Sequence, residues 1–101
     1  MNMTYHCEVE RAERVKQIIE HVGLGQIIKK VFHRGCYTCI TDTGVTIIKN
    51  AEETKVITIY ITKMDELVAA YHGVKKIPPY LKKKVDRNQS WYIKEGKTIW
   101  S

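Results

Sequence analysis

His6, Arg11 and Arg14 stand at the front of an amphipathic segment, and Thr58 and Tyr60 alternate along a later β-prone run, Val56 to Thr62. An imidazole, two guanidinium groups and two hydroxyls suit RNA cleavage without a metal. A base takes the 2′-hydroxyl proton, an acid protonates the leaving oxygen, and cations stabilise the crowded phosphate charge. Histidine titrates near neutrality and so serves either proton role. Arginine offers a planar, permanently charged fork to phosphate. In this expectation His6 is the acid or base, Arg11 and Arg14 hold the phosphate, and Thr58 and Tyr60 position it from one strand face.

These groups meet only if helices lie on a sheet. Apolar residues at 9, 12, 15, 18, 19 and 22 have helical spacing, and Gly23 and Gly25 end that run. Leu24, Ile27, Ile28, Val31 and Phe32 also recur at three and four, which predicts a second helix stopped by Gly35. Residues 36–41, 45–49 and 55–62 are β-prone. Asp42-Thr43-Gly44 forms the first turn between them and residues 50–54 a polar hairpin loop. Met64, Leu67, Val68 and Tyr71 predict a further helix ended by Gly73. The expected class is α+β: two N-terminal helices packed on a small antiparallel β-sheet, then a helix and a basic C-terminal extension. The expected division is a core at 1–73 and an extension at 74–101, with Pro78-Pro79 favouring extended chain and Trp91–Trp100 a last hairpin.

Charge is concentrated in that extension. Residues 74–97 carry eight Lys/Arg and two acids, while nine basic and nine acidic residues cancel elsewhere, so the whole net charge of +6 lies there. A localised cationic segment attracts polyanions. Lys75, Lys76, Lys82, Lys83, Lys84 and Arg87 are therefore expected on RNA phosphates, as is Lys49 at the end of the strand beside Thr58 and Tyr60, with Trp91 and Tyr92 stacking on unpaired bases. The plainer account is a solvated tail. Similarly, Arg11 and Arg14 can simply pair with Glu8, Glu10 or Glu13, and Thr58 and Tyr60 are ordinary strand formers.

The chain of 101 residues, 44 % apolar, suffices for one core. No apolar run approaches the roughly 18 residues of a membrane span. The first residues lack an apolar signal segment, so a cytoplasmic protein with three reduced cysteines is expected. Cys36 and Cys39 form a Cys-x-x-Cys pair that Cys7, His6 or His33 could complete as a zinc site. If residues 36–41 form a strand, however, the two thiols point to opposite faces. No metal and no cofactor is expected.

The order of these pieces resembles the RelE/barnase/EndoU/colicin ribonuclease superfamily, especially its small phage members. The resemblance covers residues 4–62: His6 followed by Arg11 and Arg14, an Arg34-Gly35 step closing the second segment, and the strand Val56-Ile57-Thr58-Ile59-Tyr60. It implies a toxin-like, metal-independent ribonuclease with RNA as substrate and an antitoxin as partner; a phage-type accessory protein whose Trp91–Trp100 hairpin docks on a host protein is a separate expectation. It maps the family's polar residues onto His6, Arg11 and Thr58, with Tyr60 beside them. About forty residues follow the last matching strand, where many such toxins end. A non-catalytic binding module for nucleic acid or protein is the competing expectation, since a fold does not fix a function.

Overall fold

The computed structural model describes residues 12–94, with side chains from 15 to 93. His6, Arg11, the lead-in at 3–7 and the far half of the expected C-terminal hairpin lie outside the described residues, as does the side chain of Arg14. The order is α1 (Ala12–His21), β1 (Ile27–His33), β2 (Cys36–Thr41), β3 (Val45–Asn50), β4 (Val56–Ile61), α2 (Met64–Tyr71), a 3-10 turn (Val74–Lys76) and α3 (Pro79–Lys94). The strands form an antiparallel sheet in the order β1-β2-β3-β4.

The class is α+β, but two N-terminal helices on a sheet are not what forms. One short helix precedes the sheet, and the expected second helix is strand β1. Its apolar residues do recur at three and four, yet three of them, Ile27, Ile28 and Val31, are β-branched and favour pleated backbone. Arg34 (φ 52°) and Gly35 (φ 78°) both take positive φ, the combination a tight two-residue hairpin needs. They pair His33 with Cys36 and commit the run to the sheet. The remaining strands, the turn at 42–44, the loop after Asn50 and helix α2 fall where the sequence places them.

The cross-strand register sorts the side chains. Cys39, Ile47 and Ile59 share one face, as do Val45 and Ile61 in the neighbouring row. Lys49 pairs with Val56 after a bulge, which brings Val56 onto the same face as Ile59 although they are three apart. Val15 and Ile18 of α1 bury against this face together with Tyr92 near the end of α3. The other face carries Ile40, covered by Leu67 and Ala70 of α2, Ile77, and Leu81 and Val85 of α3. Each fully buried Ile or Leu contributes about 1.5–3 kcal/mol through removal from water.

Helix α3 replaces the expected basic extension. Pro79 is its first residue, where a missing N–H and a fixed φ cost nothing. Leu81 and Lys82 both donate backbone N–H groups to the Pro78 carbonyl. Leu81, Val85 and Tyr92 lie at helical spacing and are 0 %, 0 % and 1 % exposed. The first two join one core cluster and Tyr92 the other, so α3 spans the end of the sheet and closes both layers. Trp91 and Tyr92 are consequently helical and not the start of a hairpin.

Candidate nucleic-acid interface at the α1–α3 junction

Three segments converge where α1 ends. Helix α1 stops with Val22 and Gly23 both donating to the Ile18 carbonyl, and Gly23 takes φ 84°. The following loop is tied to the β2–β3 turn. The Gln26 N–H donates to Asp42 Oδ1 at 3.0 Å, and Thr43 Oγ1 donates to the Gly23 carbonyl at 2.7 Å. From the other side, Asn88 Nδ2 of α3 donates to the Thr43 carbonyl at 2.8 Å. Gly44 permits this approach: a Cβ there would lie 2.7 Å from Asn88 Nδ2.

Between these segments opens a cleft of about 200 Å³. Its α3 wall is built from Lys84, Arg87, Asn88 and Trp91, which follow the i, i+3, i+4, i+7 spacing of one helix face. His21, Val22 and Thr43 form the opposite wall. The His21 imidazole stacks on the Trp91 indole, with ring centroids 4.0 Å apart and planes 6° from parallel. Lys84 and Arg87 are exposed, and Trp91 is half-buried against the core. The cleft thus presents two cations, an imidazole and an aromatic surface to one small volume. Those groups suit a phosphodiester carrying an unpaired base.

The expected catalytic residues are distributed differently. Thr58 and Tyr60 do share a face, since they pair with Ile48 and Thr46. That face is the one under α2, and α1, the helix that carries Arg14, packs on the other. The sheet therefore stands between α1 and Thr58–Tyr60. Tyr60 is also engaged: its hydroxyl donates to Glu66 Oε2. Glu66 Oε1 accepts the Lys63 N–H at 3.2 Å, and Thr46 and Thr62 join their hydroxyls at 2.8 Å nearby. Burial, followed by the Glu66 hydrogen bond, pushes the Tyr60 phenol well above its ordinary pKa, so it stays a protonated donor. This arrangement ties the front of α2 to β4 and explains Tyr60 structurally.

Among the expected RNA contacts, Lys84, Arg87 and Trp91 meet in the cleft. Lys82 and Lys83 share α3, and Lys75 and Lys76 lie exposed on the 3-10 turn before it. Lys49 sits half-buried on β3, on the sheet face opposite Thr58. Tyr92 is a core residue, at 1 % exposure unable to stack on a base. Cys36 and Cys39 lie on strand β2 and point to opposite faces; burial pushes the Cys39 thiol pKa up. Sequence reasoning missed His21, Thr43 and Asn88. The helical spacing of Lys84, Arg87, Asn88 and Trp91 was the available signal for the α3 wall, whereas His21 and Thr43 reach the site only through tertiary structure. Among the described residues no helix is long and apolar enough to cross a membrane.

Compared with known proteins, the chain matches no family model, no curated protein and no solved structure.

Proposed function

We propose that this protein is a binding module for single-stranded RNA, gripped at the cleft between α1 and α3. The observation that carries the reading is the convergence of Lys84 and Arg87 with the His21–Trp91 stack. The two cations meet backbone phosphates, and the His21–Trp91 pair, whose facing rings already stack on each other, offers its remaining aromatic surface to an unpaired base. Lys82 and Lys83 of α3 and Lys75 and Lys76 of the turn before it add positive charge along the same stretch of chain. Choosing RNA over DNA draws on the sequence resemblance. The test is fluorescence anisotropy of a labelled twelve-nucleotide uridine RNA between 50 and 300 mM salt, alongside the corresponding DNA. The expected result is a steep loss of affinity with salt, with RNA bound tighter than DNA. Salt-independent binding, or none at low salt, contradicts the reading.

A second reading rests on His21 alone. An imidazole beside two cations supplies one proton-transfer group and the phosphate contacts of metal-independent RNA cleavage, with water left to take the other proton role. In that reading the chain is a small ribonuclease whose proton-transfer residue within the cleft is His21. Incubation with a mixed RNA pool in excess EDTA separates the two. Cleavage that His21→Ala abolishes supports the enzyme. Intact RNA bound by folded protein supports the module.

A further inference from the structure

β1 is an edge strand: among the described residues β2 is its only strand partner. From Lys29 to His33 its open side presents backbone N–H and C=O groups in strand geometry, while the register shifts between Ile27 and Lys29. Apolar side chains flank that row on both faces, with Ile27, Ile28 and Phe32 39 %, 38 % and 56 % exposed. Every chargeable residue from Ile27 to Gly35 is basic, namely Lys29, Lys30, His33 and Arg34. Glu53 pairs with Lys30 at 2.7 Å, and the Lys29 ammonium lies 5.2 Å from the Tyr71 ring centre. The edge is therefore apolar at its flanks and cationic at its middle.

We propose that this edge docks an acidic, extended segment of a partner protein, which adds to the sheet as a further strand beside β1. Strand addition satisfies the open backbone groups, and alternating side chains of the incoming segment meet Lys30 and Phe32, which share a face of the regular part of the strand. Charge complementarity selects the occupant. Lys29 and Lys30 sit in the middle of the strand, so pairing β1 with a second copy sets lysines against lysines in either register. An acidic strand meets the same lysines favourably. A nucleic acid would find the charges but could not complete the ladder or cover the apolar flanks.

The test uses the full chain, labelled with ¹⁵N, and three eight-residue peptides: alternating Val–Glu, the same charge with Pro in place of Val, and alternating Val–Lys. The Val–Glu peptide is expected to shift and protect amides of Ile27–His33, and the Pro peptide is not. Lys29→Glu, alone or with Lys30→Glu, is expected to weaken the Val–Glu peptide at least tenfold and to admit the Val–Lys peptide. Lys30 is exposed and Lys29 half-buried, and circular dichroism verifies that the variants fold. The proposal is overturned if the Val–Glu peptide leaves β1 unperturbed or acts at α3 instead. Equal binding of the Pro peptide overturns it too, as does self-association through β1 or preferential binding of a uridine RNA there.

Discussion

His21, the last residue of α1, lies flat against Trp91, near the end of α3, with ring centres 4.0 Å apart. This contact joins the first and last described helices at the cleft that Lys84 and Arg87 also line. An aromatic pair of this kind contributes about 0.5–1.5 kcal/mol beyond its burial. Its larger consequence is positional, because it fixes an imidazole and an indole beside Lys84 and Arg87.

Trp91→Ala is expected to weaken single-stranded RNA binding about tenfold, given roughly 1–3 kcal/mol per base stacked on an aromatic ring. Trp91→Phe retains a ring and is expected to keep most of the affinity. Anisotropy titrations of both variants at one salt concentration check this.

Lys84→Ala and Arg87→Ala are each expected to reduce the slope of log affinity against log salt by about 0.7, as for loss of one phosphate contact on a single strand. Both residues are exposed, so thermal stability should hardly change. Unaltered slopes would place the RNA elsewhere.

Gly44→Ala tests how α3 is seated. The residue has φ 85°, and an added Cβ would meet Asn88 Nδ2 at 2.7 Å. A cost of about 1–2 kcal/mol follows from the left-handed backbone alone, with the displaced Asn88 adding to it. Denaturant titration reads the loss, and RNA affinity should fall with it because Asn88 borders the cleft.

Leu81→Ala removes a wholly buried side chain and is expected to cost about 2–5 kcal/mol. Deleting residues 74–101 strips both core clusters of their α3 contributions and should leave an unfolded chain. A cooperative thermal transition in that truncation would show that residues 1–73 fold unaided.

Tyr60→Phe separates a structural tyrosine from a functional one. Loss of the hydrogen bond to Glu66 is expected to cost about 1–2 kcal/mol while RNA binding is unchanged. The folded-state pKa of Tyr60 lies above its ordinary 10.0. Its contribution is therefore complete below about pH 10 and is lost as pH rises further. Tyr60→Phe should flatten the alkaline decline in stability that the wild type shows.

Much of this was legible in the chain because local rules and tertiary structure agreed. The spacing of Val15, Ile18 and Val22 marks α1, Asp42-Thr43-Gly44 marks the β2–β3 turn, and Gly73 marks the end of α2. β1 was misread because its apolar residues keep a helical interval, while the Arg34-Gly35 turn and pairing with β2 decide the outcome. α3 was hidden by two features. Pro78-Pro79 reads as a breaker although proline opens helices well, and the lysine run at 82–84 masks the spacing of Leu81, Val85 and Tyr92. Charge named Lys84, Arg87 and Trp91 for the site. No local pattern could add His21 or Thr43, which arrive from elements far away in sequence.

The most direct test of the central claim is an NMR titration of the ¹⁵N-labelled chain with the twelve-nucleotide uridine RNA at low salt. The account requires saturable shifts of the Trp91 indole N–H and of the Arg87 and Lys84 amides, reversed by added salt. Saturable binding that leaves these three signals in place, or no binding at all, would contradict it.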